Sequence, residues 1–353
     1  MQHKPLETVG SDTRDTMWLC HFNGAGTARW IAVNEEKPPV VDPDTLLGPV
    51  KTDAASAAEP RGFVWVHVDL VDARARAWVN GLSFVPEALR QRFTDTANRH
   101  ALASVDGVLN FSLPDSALAF DRPTDEMTFL QVIIGDNYIV TGRRRKIAAV
   151  AEVVASTDRS KPYLDPLSLL TDLVGHMVHR LEAMSVEASN ELDNIEDNVL
   201  GQRIKAGTAS VLGPLRRSLA RIHRHTLILR QTLFQFERAQ TSLPFAARRQ
   251  AMQVFSERLD VLDHDTVAEQ ARSKILQDEI STRIANESNR SLYIVTMVMT
   301  FFMPPVLIAG IFGMNVASLP LDETGGGFWW SLLLLAFSML AAYVILRRFV
   351  ERK

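Results

Sequence analysis

The chain has 353 residues, room for more than one domain, and its 38 Lys and Arg against 41 Asp and Glu leave a formal charge of −3, so no basic field points to nucleic acid. A single cysteine, Cys20, excludes an intrachain disulfide and reads as a packing residue. The N-terminal MQHKPLETVGSDTRD lacks an apolar core and is not read as a signal peptide.

In chain order, residues 1–160 read as a mixed α/β domain. MWLCHF and ARWIAV flank NGAGT and predict a hairpin. FVWVHVDL, from Phe63, predicts a strand carrying His67, GVLNFSL another, and MTFLQVII with YIVTG a pair joined by a Gly-Asp-Asn turn. Short helices are expected around Ala73–Leu82 and Pro86–Asp95. No glycine-rich phosphate loop follows a strand and no nucleophile elbow appears, so the domain is not read as an enzyme.

Residues 161–290 change to long helices: one from Pro166 to about Val199, one from about Pro214 to Gln240, and a third after Pro244. Between Pro244 and Pro304 lie fifty-nine residues without glycine or proline. They predict either one very long helix or two with an unmarked bend.

Ser291 to Leu321 carries no charged residue, and neither does Gly327 to Leu346. Each is long enough to cross a hydrocarbon core of ~30 Å. The reading is a first transmembrane helix over 291–314, an outer loop over 315–326 and a second helix over 327–346. The tail 347–353, RRFVERK, holds four Lys or Arg, which places it, and with it the large N-terminal part, on the cytoplasmic side. Trp329 and Trp330 stand where an interfacial aromatic belt would.

Steps of three and four residues from Asp278 pass through Thr282, Ala285, Asn289, Leu292, Thr296, Met299, Met303, Val306 and Gly310. Such positions share one helix face. Asn289 and Thr296 in or near a bilayer are costly unless they face protein or water, so the face is read as helix–helix contact or as the wall of a pore shared by several copies. Pro304 and Pro305 remove two helical donors and mark either a kink or a gate.

The stretch MPPVLIAGIFGMN, its place in the first of two C-terminal spans, the long preceding helix and the basic tail together resemble the CorA superfamily of divalent cation transporters. The loop GMNVASLPLDETGGGFWW, with FVWVHVDL and IVTGRRRKIAAV, is more similar to its ZntB branch. The resemblance implies a funnel-shaped homopentamer in the bacterial inner membrane, both termini cytoplasmic. Its first span would line the pore, with Gly313, Met314 and Asn315 as the selectivity filter. Asn289, Leu292, Val295 or Met299, and Met303 would map to successive constrictions. It also implies transport of Zn2+, coupled to protons, through a filter that meets the ion with its water attached; Mg2+ or Co2+ are the alternative cargo. Val306 stands where magnesium-type members tend to carry threonine. No cofactor, catalysis or nucleic-acid partner is expected; a membrane-anchored sensor or scaffold is the competing class.

Further candidates are weighed against plain surface roles. Asp278 could ring an inner mouth, and Asp322 and Glu323 could draw cations to the outer loop. His176, His179 and Glu182 share a helical spacing that metal sites use. RIHRH, Arg221 to His225, reads as a basic solvated face. GRRRK, Gly142 to Lys146, is read as a partner between copies for the acidic run Glu187 to Asp197.

Overall fold

A computed structural model describes residues 17–31, 62–95, 102–119, 122–201, 208–239, 249–313 and 327–350. The chain divides into two compact units, Met1–Lys274 and Ile275–Lys353.

The first unit is built on a sheet of β1 (Met17–Phe22), β2 (Ala28–Ile31), β3 (Phe63–Asp69), β4 (Ala103–Val105), β5 (Val108–Ala119), β6 (Arg122–Ile134) and β7 (Tyr138–Arg143). Its order is β2-β1-β3-β7-β6-β5-β4, with β3 and β7 parallel and the other pairs antiparallel. The hairpin β1–β2 forms where NGAGT predicts it. Asn23 Oδ1 accepts from the amides of Ala25 (3.1 Å) and Thr27 (2.8 Å), and Gly26 has φ +78°, with no room for a Cβ beside Tyr163. The β4–β5 hairpin turns on Asp106 and Gly107, both at positive φ, as a two-residue turn matched to the strand twist requires.

Helices cover both faces of the sheet. On one side lie α1 (Ala73–Asn80) and α2 (Glu87–Thr94), whose Trp78, Val79, Leu89 and Phe93 pack on Val64, Val66, Val68 and Val140. The other side meets α3 (Ala148–Asp158), α4 (Pro166–Leu200), α5 (Thr208–Ala239) and the first part of α6 (Arg249–Phe312). Double cover explains why β3 and β7 are buried on both faces rather than alternating. Cys20 is buried in this core, a packing position.

His67 is buried in β3. Arg143 Nε donates to its Nε2 at 3.1 Å, so the ring proton sits on Nδ1, 2.8 Å from Thr141 Oγ1. That oxygen also accepts from Trp65 Nε1 (2.9 Å), and its own hydrogen goes to the Val66 carbonyl (3.1 Å). Burial, then the Arg143 charge, holds the imidazole well below its usual pKa.

α4 starts on a capping box between Asp165 and Ser168 with Pro166 in its first turn. α5 begins at Thr208, six residues before Pro214, which therefore sits inside the helix, where its missing N–H costs one backbone bond. α6 settles the open alternative: it is one helix of 64 residues that includes Pro304 and Pro305. α7 spans Gly327–Val350.

One charged-segment reading is corrected, and the basic run GRRRK has contacts within its own chain. RIHRH is not a solvated face: Ile222 and His225 are buried, and His223 Nδ1 lies 2.9 Å from Asp263 Oδ1. GRRRK turns to its own chain: Arg143 meets His67, Arg144 donates to the Thr94 carbonyl, and Arg145 faces Glu126. Two acids of the α4 run also have a partner in the same chain: Arg272 of α6 meets Asp193 (2.7 Å) and Glu196.

Candidate ion-conducting face

The second unit presents the far part of α6 almost bare. Asp278, Thr282, Ala285, Asn289, Leu292, Thr296, Met299, Met303, Val306, Gly310 and Gly313 are all exposed, as is Val295. Met303 is 71% exposed and Leu292 62%. Among the described residues, none covers this face. Its apolar members are stable in that position only against lipid or other protein.

The apolar stretch of α6 reaches a mean hydropathy of 2.1, which makes α6 the described helix long and apolar enough to cross a membrane. The apolar part of α7, Trp329–Ile345, is shorter; Trp329, Leu333, Phe337 and Leu340 are exposed.

The helix itself revises one step of the sequence argument. Thr296 Oγ1 donates to the Leu292 carbonyl at 2.8 Å, and Thr282 does the same to Asp278. A threonine satisfied within its own helix is tolerated in lipid. The polarity that demands water or protein therefore rests on Asn289, not on Thr296.

The two glycines differ. A Cβ on Gly310 would meet no described residue outside its own helix backbone, so the described part of the chain does not require glycine there. A Cβ on Gly313 would lie 3.0 Å from the Ala309 carbonyl, which already accepts the Gly313 amide at 2.9 Å. Gly313 closes the last turn, and its side-chain space is limited by the helix end itself. Met314, Asn315, Asp322 and Glu323 lie outside the described residues.

The remaining metal candidates do not converge. His176 Nδ1 lies 2.6 Å from Glu152 of α3, and its Nε2 is 3.8 Å from Asp172. His179 is 80% exposed and 4.0 Å from Glu182, whose carboxylate is held by Arg258 Nε (2.8 Å) and Nη2 (2.5 Å). Among the described residues of one chain, no group of three or more His, Cys, Asp or Glu is placed to hold a metal.

His176 belongs instead to a polar chain that the sequence did not signal. Arg180 bridges Glu152 (2.7 Å) and the buried Asp115 (3.6 Å). Asp115 Oδ2 accepts the Ala149 amide at the start of α3 (2.9 Å), yet burial raises its pKa despite the Arg180 charge. Asp172 in turn receives Lys161 (2.6 Å) and the Tyr163 hydroxyl (2.5 Å).

The residues of α6 that the sequence reading left out lie upstream. Steps of seven back from Thr282 and Asp278 reach Ile275, Ala271, Ala268, His264, Val261, Glu257 and Val254, and every one is exposed. The same stepping rule, begun earlier, would have found them.

Comparison with known proteins gives a consistent picture. The family described as CorA-like Mg2+ transporter protein matches residues 60–348. A zinc transport protein, ZntB, of Pectobacterium carotovorum is 25% identical over 279 residues, covering 77% of this chain and 82% of that protein. The structure of the full-length CmaX protein superposes with a TM-score of 0.77 at 22% identity, over 97% of this chain and 99% of that one. The CorA magnesium transporter from Methanocaldococcus jannaschii gives 0.70 at 16% identity, over 94% of this chain and 97% of that one.

Proposed function

Because the chain belongs to the CorA-like Mg2+ transporter family, we propose that it carries divalent metal cations across the bacterial inner membrane, with Zn2+ as the principal cargo. The observation that carries this reading is the exposed face of α6, charge-free from Ser291 to Gly313, that leads into GMN. In this reading both α6 and α7 span the bilayer and both termini are cytoplasmic. Five copies turn the α6 face to a common axis.

Within such a ring the parts have distinct tasks. Rings of Leu292, Met299 and Met303 exclude water when closed and so gate by dewetting. Asn289 offers an amide to a hydrated ion on their inner side, toward Asp278. Asn315 amides and Gly313 carbonyls hydrogen-bond the water shell at the outer end, and Asp322 and Glu323 raise the cation concentration outside. Asp278 supplies a carboxylate at the inner mouth.

The resemblance to the zinc-transporting branch supports zinc and proton coupling. A magnesium or cobalt cargo is favoured by one observation: from Asn289 to Asn315 the stripe has no Cys, His or carboxylate, the ligands zinc prefers. Between Arg290 and Pro320 the one titratable residue is Tyr293, so a proton carrier has to lie outside the span.

The test is flux into liposomes containing the purified protein, read with zinc- and magnesium-sensitive dyes, with and without a pH gradient. Zinc entry that rises with an inward proton gradient is expected. Entry of neither metal would overturn the transport reading, and indifference to the gradient would remove the proton.

A further inference from the structure

The outer filter is poorly equipped to tell zinc from magnesium. Both reach it wearing water, and amide and carbonyl oxygens read the water. Discrimination needs a donor that magnesium refuses and zinc accepts, and an imidazole nitrogen is such a donor. The exposed α6 stripe of the first unit contains one, His264, between Val261 and Ala268.

The geometry prepares it as a ligand. His264 Nδ1 lies 2.7 Å from the Asp260 backbone carbonyl. A carbonyl only accepts, so Nδ1 carries the proton, and in the neutral ring Nε2 keeps its lone pair. A hydrogen bond from one ring nitrogen to a carbonyl is the arrangement that orients a metal-binding histidine and strengthens its other nitrogen as a ligand. Two neighbouring carboxylates are engaged elsewhere: Arg230 meets Asp260 (2.8 Å) and Asp263 (3.3 Å), and His223 meets Asp263. His264 therefore stands on its exposed stripe, with Val254 and Val261 on the same face at 46% and 62% exposure.

We propose that His264 is the zinc-recognising residue of this protein: in the assembled form each copy presents its Nε2 to the passing ion as a direct ligand on the cytoplasmic course of the conduction path. The inference rests on the transport reading above. One imidazole per copy, with water completing the shell, binds zinc tightly enough to select it and weakly enough to release it, as conduction requires. Glu257 and Asp278 are the carboxylates of the same stripe and attract any divalent cation. His264 adds the preference.

The test uses the full-length protein in detergent and in liposomes. Modification of His264 by diethyl pyrocarbonate, followed by peptide mass spectrometry, is expected to slow when zinc is added and not when magnesium is added. In liposomes, His264→Gln is expected to lower the ratio of zinc to magnesium flux by roughly tenfold or more, the scale of losing a metal-orienting interaction. Equal modification with and without zinc, or an unchanged flux ratio in His264→Gln, would overturn the inference. If wild type moves neither metal the transport reading falls, and the protection experiment still decides whether His264 binds zinc.

Discussion

Gly310→Ala separates what the single chain needs from what the assembled pore needs. Among the described residues the added Cβ meets no atom beyond the backbone of its own helix, and Gly310 lies in the last turn of α6, two residues before its end at Phe312. Alanine is favoured over glycine in a helix by at most about 1 kcal/mol, and by less in a last turn, so the isolated helix is not weakened. If Gly310 faces a common axis, each methyl instead projects about 1.5 Å inward, and opposite walls approach by ~3 Å. A passage fitted to an ion that keeps its water cannot absorb that narrowing. Metal flux into liposomes is expected to fall by at least roughly tenfold, about 1.4 kcal/mol in the barrier. Size-exclusion profile and thermal stability are expected to hold or improve. Gly313→Ala is a poorer probe, because its Cβ would crowd the Ala309 carbonyl whatever the assembly. Flux through Gly310→Ala equal to wild type would refute the orientation assigned to the α6 face.

Three further outcomes rest on individual side chains of the gate and the first unit. Met303→Ser is expected to raise metal leak through the closed protein, since a polar ring holds water that a methionine ring excludes, and at 71% exposure the change removes little of the chain's own packing; unchanged leak would remove Met303 from the gate. Arg180→Met strands the buried Asp115 carboxylate and is expected to cost ~3 kcal/mol in urea unfolding, most of it recovered by adding Asp115→Asn; no recovery would mean that Arg180 acts through packing instead. Acid is expected to destabilise the first unit through His67 and His225. The folded pKa of His225 is lowered to about 4, by burial first and then by Arg221 and Arg224. Both pKa values lie below the unfolded value of 6.5, so stability is full above that pH and declines as the pH falls through it. Between pH 7.5 and 5.5 each histidine costs about 1.4 kcal/mol. His225→Leu, which also removes a buried Nε2 lacking a hydrogen-bond partner, is expected to flatten the melting-temperature slope; the same slope in wild type and variant would clear His225 of the effect.

Much of the fold was legible because its signals are local. The Asn-Gly-Ala-Gly-Thr turn, the Gly-Asp-Asn turn between β6 and β7 and the capping Asp165-Pro166 each fix a boundary through a few neighbouring atoms. β4 was missed although Asp106-Gly107 announces its turn, because three residues give no periodicity to read. The start of α5 was misplaced at Pro214, since proline marks a helix start more often than it is carried inside one.

The polar clusters were not legible. Arg180 meets Asp115 across sixty-five positions of sequence, and the basic run at Arg143 to Arg145 finds its partners on three separate elements. Nothing in the spacing of those residues encodes such meetings. The α6 face was legible where its polarity changed, and His264 was overlooked because the surrounding helix looks like any charged surface. Its carbonyl-bound Nδ1 is visible only with atoms in place.

The central claim is that GMN closes a divalent cation path. The most direct measurement compares zinc and magnesium entry into liposomes for wild type and Asn315→Ala, with the assembly of both verified by size-exclusion chromatography. Divalent entry is expected in wild type, and its loss in Asn315→Ala with assembly intact. Equal entry through the two proteins, or none through either, would contradict it.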